Sequence, residues 1–217
     1  MAFTSENGMK KSVQGCNLTS SNVGLSTRPL RVAAYNCQGA MRSALYISTL
    51  LTSYNLDFIC ICEHWLFPDS LCFLESLSTD YYSYAVADSS LNGLDICRRG
   101  KGGVAIMWKK QLNYHVSSLP IDSDRIIGVS VELDKNRLLT LLAVYLPSTN
   151  ATVEQYTDCL DLLSNLYHMY CEGSEVIILG DMNAQLNGPR YNVSKYNKLS
   201  QEFLQRAFTN KFFVGLQ

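Results

Sequence analysis

The feature that most restricts the fold is a pair of uninterrupted apolar runs, each of which stops at an acidic residue. The run "VIIL" is followed by Gly-Asp-Met-Asn, and the run "FICIC" is followed by Glu63. A strand that is apolar at every position is covered on both faces, as are central strands of sheets that carry helices. The pattern therefore predicts a layered α/β fold with a carboxylate at the exit of each buried strand.

Helices and antiparallel segments complete the predicted architecture. Apolar residues at three- and four-residue spacing predict amphipathic helices over residues 40–54 and 152–171, and "KLSQEFLQRAFTN" predicts a final helix. Four consecutive segments, "GVAIMW", "YHVSSL", "RIIGVSVEL" and "RLLTLLAVYL", indicate an antiparallel meander. We expect one mixed α/β domain over residues 29–217, preceded by a polar, disordered tail of residues 1–28.

Composition excludes several classes of protein. The chain has 217 residues with 18 Lys plus Arg against 19 Asp plus Glu, so any polyanionic partner has to be met by a local patch. Its eight cysteines include no C-x-x-C pair, which favours reduced core thiols over a zinc site or a disulfide framework. Neither a signal peptide nor a run of membrane length is found, so we expect an intracellular protein with no membrane partner.

Polar residues end three of the predicted strands. Asn36 follows "VAAY", Glu63 follows "ICIC", and Asp181 and Asn183 follow "VIILG". Each alone is well explained as a loop residue, but side chains at such strand ends converge on one rim, so together they favour a site. Oxygen ligands without paired His or Cys suit Mg²⁺ or Mn²⁺, which serve phosphodiester chemistry. Tyr145 ends another strand, either as a phosphate donor or as a core tyrosine with its tip in water.

Five motifs in order resemble the endonuclease/exonuclease/phosphatase family, in particular the endonuclease domain of LINE-type non-LTR retrotransposons: "AYNCQG", "ICEHWL", "GKGGVAIMW", "AVYLPS" and "VIILGDMNAQL". The resemblance covers roughly residues 30–210. It implies a four-layered α/β sandwich, in which two mixed, largely antiparallel sheets pack together with helices outside. It also implies Mg²⁺-dependent nicking of DNA that leaves a 3′ hydroxyl.

The resemblance also implies roles for single residues. Glu63 matches a metal ligand, and Asn36 lies beside it and helps to hold the metal and phosphate. Tyr145 matches a residue that contacts the scissile phosphate, Asp181 one that positions or activates the attacking water, and Asn183 one that binds a phosphate oxygen. The implied partners are DNA and a reverse transcriptase domain of a parent polyprotein, for a nuclear and monomeric protein.

The sequence departs from the family pattern in three places. Two places after Asn36, where the family usually has an acidic or amide residue, Gln38 keeps the polarity but not the charge, and His64, which we interpret as a loop residue, follows Glu63. The chain ends at "TNKFFVGLQ" without the family's Ser/Asp-Asp-His motif, and we interpret His115 as structural and His168 as solvated rather than as substitutes. We therefore expect a C-terminally truncated domain whose activity is reduced by about 10²- to 10⁴-fold.

Three hypotheses stay open from the sequence. The chain is a nicking endonuclease, a catalytically inactive binding or scaffold protein of the same fold, or a phosphatase that acts on small phosphoesters. A basic group flanks the glycine-rich turn and either contacts DNA phosphates or is simply solvated; its members are Arg98, Arg99, Lys101, Lys109 and Lys110.

Overall fold

A computed structural model describes residues 29–88, 99–148 and 150–184, together with the backbone of Cys16–Asn17 and Val214–Gly215. Apart from Cys16–Asn17, the predicted tail of residues 1–28 lies outside the described residues. The predicted final helix over "KLSQEFLQRAFTN" lies outside them as well.

The fold is built from two five-stranded sheets, each of which has four longer strands and one strand of two residues. The first sheet contains β1 (Cys16–Asn17), β2 (Arg31–Asn36), β3 (Phe58–Cys62), β4 (Tyr81–Val86) and β5 (Val104–Lys109). Its order is β1-β2-β3-β5-β4. Only β2 and β3 are parallel, and the other neighbours are antiparallel.

The second sheet is also mixed. It contains β6 (His115–Ser118), β7 (Ile126–Asp134), β8 (Arg137–Tyr145), β9 (Glu175–Asp181) and β10 (Val214–Gly215). The order is β10-β9-β8-β7-β6, with β9 parallel to both of its neighbours and an antiparallel meander over β6, β7 and β8.

The predicted four-strand meander was wrong at its first strand. β5 does not pair with β6 but lies in the first sheet, antiparallel to both β3 and β4. The reason is that alternation along a strand specifies which face is buried and not which strand is its neighbour. The chain crosses from one sheet to the other between Lys109 and His115.

Helices cover the outer faces of the two sheets. α1 (Ala44–Ser53) and α2 (Phe73–Ser76) pack on the first sheet, and α3 (Val153–Cys171) packs on the second. α3 begins with a capping box in which the Thr152 hydroxyl accepts from the Gln155 amide and the Gln155 side chain accepts from the Thr152 amide. Within the described residues, no helix is long and apolar enough to cross a membrane.

The predicted four-layered α/β sandwich is thereby confirmed, and β3 shows how its layers form. All five residues of β3 are buried. Ile59 and Ile61 pack in the core beneath the helices, whereas Cys60 and Cys62 face the second sheet. Burial of each isoleucine contributes about 1.5–3 kcal/mol to stability. Because alternate residues of β3 face opposite sides, this one strand contributes to the cores on both faces of the first sheet.

The two buried thiols of β3 connect the sheets through hydrogen bonds. Cys60 Sγ donates to the carbonyl of Leu179 at 3.6 Å, and Cys62 Sγ donates to the carbonyl of Val144 at 3.2 Å. The neighbouring Cys60 thiol and burial raise the pKa of Cys62 well above its usual value, so the thiol keeps its proton. All six cysteines in the described ranges are free, as the sequence predicts.

Candidate active site

The parallel pairing in each sheet brings polar strand ends to one rim of the sandwich. Asn36 pairs with Cys62 in register, so Glu63 follows directly beside it. Tyr145 pairs with Asp181 in the same way in the second sheet. Since the two sheets pack face to face, all four predicted side chains lie at a common end.

The amide of Asn36 joins the two carboxylates of the site. Its Nδ2 donates to Glu63 Oε1 at 2.7 Å and to Asp181 Oδ2 at 2.8 Å. Its Oδ1 accepts from the backbone N–H of Gln38 at 3.3 Å. Asn36 is buried, which limits the number of orientations its amide can adopt. The structure therefore assembles Asn36, Glu63 and Asp181 into one hydrogen-bonded cluster.

Asp181 is oriented by the turn that follows its strand. Its Oδ1 accepts from the backbone N–H of Asn183 at 2.8 Å, and the Asn183 side chain donates to the carbonyl of Leu146 at 2.7 Å. Gly180, with φ +136°, precedes it, and a Cβ there would lie 1.9 Å from the carbonyl oxygen of Val144. Only glycine allows β8 to come so close at this point.

Glu63 occupies a backbone conformation that few glutamates adopt. Its φ is +55°, in the left-handed region. Its N–H donates to the carbonyl of Gly103 at 2.9 Å, and its own carbonyl accepts from Gly39 at 2.7 Å. These bonds fasten the residue between the loop after β2 and the loop before β5, so its carboxylate is directed by backbone contacts on both sides.

Positive φ angles concentrate at this rim. Of the five non-glycine and four glycine residues with such angles in the described ranges, all but Asn55 lie at the ends of β2, β3 and β9 or just before β5. A non-glycine residue held there costs about 1–3 kcal/mol, which the surrounding structure has to offset. The rim residues are Gln38, Gly39, Glu63, Trp65, Gly102, Gly103, Gly180 and Asn183.

Tyr145 lies beside both carboxylates and keeps its proton. Burial and then the negative charge of Glu63 raise the pKa of Tyr145 to about 12, with smaller contributions in the same direction from Asp181 and from a hydrogen bond to Glu63. Arg125, whose guanidinium lies 5.6 Å from the Tyr145 ring centroid, lowers that pKa. Tyr145 is therefore a hydrogen-bond donor and not a base at neutral pH.

No imidazole is available to this site. His64 is fully buried: its Nδ1 accepts from the Leu66 N–H at 3.0 Å, so its Nε2 carries the proton and donates to the carbonyl of Val86 at 2.9 Å. His115 begins the edge strand β6, and His168 lies on the exposed side of α3. The chain has three histidines, so the described cluster works with carboxylate, amide and phenol groups alone.

Of the predicted basic residues, Arg99 and Lys101 lie on the loop that leads to β5, Lys109 ends that strand and Lys110 follows it, while Arg98 lies outside the described residues. The Arg99 guanidinium stacks 4.2 Å from the centroid of the Trp65 ring, and Lys101 Nζ lies 4.0 Å from Asp88 Oδ2. Both basic side chains are exposed, and Trp65 in turn packs against Gly39 beside the site. The Trp65 ring thereby holds the Arg99 guanidinium at the edge of the carboxylate cluster.

The oxygen donors of the cluster suit a hard divalent cation. In the part of the chain that the structure describes, neither Glu63 nor Asp181 forms an ion pair with Lys or Arg, so two carboxylates share this rim without a paired cation. No group of three or more His, Cys, Asp or Glu occurs there. One or two carboxylates with the remaining positions left to water and phosphate is the binding mode of Mg²⁺, for which Glu63 and Asn36 could be the ligands.

The sequence analysis did not identify two charged residues near the site: Arg125, which lies beside the Tyr145 ring, and Asp88, which lies 4.0 Å from Lys101. Arg125 directly precedes β7. The backbone N–H of Tyr145 donates to the Arg125 carbonyl at 2.8 Å, which places Arg125 beside the end of β8. An antiparallel strand begins where its neighbour ends, so residues before a strand belong to the same rim. That rule, applied to "SDRII", would have found Arg125.

A family profile described as "Endonuclease/Exonuclease/phosphatase family" matches residues 33–214. The chain therefore belongs to the endonuclease/exonuclease/phosphatase family, as the sequence motifs indicate. The sequence matches no curated protein.

Solved structures of low sequence identity share the fold. The AP endonuclease LMAP from Leishmania major superimposes with a TM-score of 0.67 at 14% identity, over 82% of this chain and 66% of that one. The endonuclease domain of TRAS1, a telomere-specific non-LTR retrotransposon, gives 0.59 at 15% identity over 82% and 72%. An AP endonuclease from Archaeoglobus fulgidus gives 0.56 at 17% identity over 82% and 70%.

Proposed function

We propose that this chain carries the site of a Mg²⁺-dependent phosphodiesterase that nicks DNA in the manner of a retrotransposon endonuclease. The observation that carries the proposal is the Asn36 amide, which holds the carboxylates of Glu63 and Asp181 together at 2.7 and 2.8 Å. Two carboxylates that have no ion pair with Lys or Arg among the described residues suit a divalent cation and a water molecule to be activated.

Each side chain of the cluster has a distinct role in this proposal. Glu63 and the Asn36 Oδ1 would hold Mg²⁺, with Mn²⁺ as a substitute, which when bound would supply positive charge to stabilise the phosphoryl oxygens. Asp181, fixed at both carboxylate oxygens, orients a water molecule and accepts its proton. Asn183 keeps one amide hydrogen beyond its bond to Leu146 and donates it to a phosphate oxygen.

Tyr145 supplies a neutral donor. With a pKa of about 12 its hydroxyl stays protonated, and it exchanges its hydrogen bond to Glu63 for one to a non-bridging phosphate oxygen. Because the half-buried tyrosine already lies beside the carboxylates, little reorganisation is needed when charge develops on the phosphate.

Two exposed basic residues and the structurally similar proteins support DNA as the substrate. Arg99 and Lys101 lie exposed beside the site, where they contact the phosphates that flank the scissile bond. The structurally similar proteins include a telomere-specific retrotransposon endonuclease domain and a 3′ phosphatase bound to a DNA hairpin. We extend the proposal to a monomeric, nuclear protein whose parent polyprotein contains a reverse transcriptase.

A plasmid-nicking assay tests the proposal. Supercoiled plasmid is incubated with the chain and Mg²⁺, alongside Glu63→Ala, Asp181→Ala and the exposed control Glu172→Ala. Nicking by the wild type and by Glu172→Ala, together with a loss of about 10²-fold or more in both site variants, is the expected result.

Two other outcomes contradict the proposal and identify what replaces it. Nicking by none of the four proteins favours the binding or scaffold hypothesis. Release of phosphate from inositol phosphates or mononucleotides in the absence of nicking, sensitive to the same two variants, favours a phosphatase of small phosphoesters.

A further inference from the structure

A groove lies at the opposite end of the sandwich from the carboxylate cluster. Its volume is about 290 Å³. Three aromatic rings, two lysines and a histidine line it: Tyr82, Trp108, Lys109, Lys110, Tyr114 and His115.

The groove lies between the paired strands β4 and β5 and the segment that leads into β6. Tyr82 and Trp108 are register partners at the edge of the first sheet, and Trp108 faces the core between the sheets. The opposing edge strand, β6, has only four residues. Tyr82 is 50% exposed, and its ring centroid lies 5.9 Å from that of Trp108, at an interplanar angle of 43°.

Positive charge accompanies the rings. Lys110 Nζ lies 5.0 Å from the Tyr82 ring centroid, and Lys109 Nζ donates to Asn55 Oδ1. The acidic side chain nearest in register is Glu132, the strand partner of His115. None of the described residues that line the groove is acidic, although the backbone carbonyl of Asp80 accepts the N–H of Lys110 at 2.8 Å. The exposed Lys110 lies over the exposed ring of Tyr82.

The groove is separate from the candidate active site. Cys62, which precedes Glu63, pairs with Val104, whereas Phe58 at the other end of β3 pairs with Trp108. Four residues of strand span about 13 Å, so a single base held in the groove does not contact the carboxylates.

We propose that this groove binds a single-stranded segment of nucleic acid. Exposed aromatic faces with adjoining lysines are the combination that holds unpaired bases by stacking and their backbone by charge. Bases stack on the exposed ring of Tyr82 and reach the accessible part of the half-buried Trp108 ring, and phosphates contact Lys110. A duplex keeps its base faces covered and contacts the lysines alone. The inference goes beyond the proposed nicking activity, because binding here requires neither a metal ion nor hydrolysis.

The test measures binding of a fluorescein-labelled oligo(dT) 15-mer to the full chain in EDTA by anisotropy. Tyr82→Ala and Lys110→Glu are each expected to weaken binding about ten-fold. The matched controls, Tyr54→Ala and Lys135→Glu, remove an exposed tyrosine and reverse an exposed lysine outside the groove, and are expected to leave binding unchanged. Circular dichroism establishes that each variant is folded.

Tryptophan fluorescence provides a second readout. The chain has two tryptophans, so Trp65→Phe leaves Trp108 as the single indole. Addition of oligo(dT) is expected to quench its fluorescence, and an equal concentration of duplex is expected to quench it far less.

Four results would overturn the inference: no quenching of Trp108, equal binding of duplex and oligo(dT), equal weakening by the control variants, or loss of oligo(dT) binding in Asp181→Ala, which would place the oligonucleotide at the carboxylate rim. Binding to phosphatidylserine vesicles that Lys110→Glu abolishes, without oligo(dT) binding, would also overturn it. Failure of plasmid nicking does not affect these measurements, so the two proposals fail separately.

Discussion

The imidazole of His64 lies directly on the backbone of Gly103: a Cβ at Gly103 would come within 2.3 Å of His64 Cε1. The same glycine accepts the N–H of Glu63 through its carbonyl. His64, which we interpret from the sequence as a loop residue, is therefore buried against Gly103. It helps to fix the loop whose carbonyl orients the neighbouring Glu63.

Gly103→Ala is expected to destabilise the fold by about 2 kcal/mol or more, because a non-glycine residue at φ +85° is strained and its Cβ overlaps a buried ring. Urea denaturation measures the change. Gly173→Ala is the control, since a Cβ there meets nothing within 4 Å, and we expect it to stay within about 0.5 kcal/mol of the wild type.

Stability is expected to fall as the pH drops below 6.5. Burial lowers the pKa of His64 from its usual 6.5, so between the lowered pKa and 6.5 the unfolded chain binds a proton that the folded chain does not. The free energy of unfolding should therefore be constant above pH 7 and decrease from pH 6.5 downward. Urea titrations in EDTA from pH 5 to 7.5 measure it, and His168→Gln, which alters an exposed histidine, should keep the same slope.

Mg²⁺ is expected to raise the Tm. A ligand at ten times its Kd stabilises the folded state by about 1.4 kcal/mol, and Glu63→Gln should abolish that shift because it removes the charged ligand. Calorimetry with and without Mg²⁺ measures it independently of activity. Glu154→Gln, at an exposed position on α3, should retain the full shift, and a shift that persists in Glu63→Gln would place the ion elsewhere.

Tyr145→Phe is expected to lower the nicking rate by about 10²-fold, because it removes a donor aimed at developing phosphate charge. Since the pKa of Tyr145 is about 12, the wild-type rate should show no decline from tyrosine ionisation up to about pH 10. Single-turnover rates from pH 6 to 10 measure both effects. Tyr167→Phe removes a hydroxyl from α3 and should leave the rate unchanged.

Arg99→Ala is expected to weaken binding of duplex DNA and to reduce the slope of log Kd against log salt by about 1, as the loss of one phosphate contact does. Trp65→Leu should have the same effect, because the indole holds the guanidinium in place. Anisotropy titrations between 50 and 200 mM salt measure it. Arg137→Ala, which breaks an exposed pair with Glu175, should leave the slope unaltered.

The sequence predicts the buried strands and the polar residues at their exits because both signals are local. An apolar run that stops at Glu63 or Asp181 shows where the strand ends, and parallel pairing then brings such ends together. The family motifs point to the same residues. Asn36, Glu63, Asp181 and Tyr145 meet as this reasoning predicts.

Features that depend on pairing between distant segments could not be read from the sequence. The location of β5 is decided by its packing partners, since its continuous apolar run fits a buried strand of either sheet. The role of His64 depends on Gly103, which lies 39 residues further along the chain. The aromatic groove combines residues of β4, β5 and β6 that are distant in the sequence, so composition near Lys110 did not reveal it.

Asn36 belongs to the first sheet and Asp181 to the second, so their 2.8 Å hydrogen bond measures the alignment of the two sheets. Any shift of one sheet along the other lengthens that bond before it exposes the core. The packing of the apolar layer between the sheets therefore sets the geometry of the site: a conservative change in that layer, such as Ile106→Val, lowers activity while the domain stays folded.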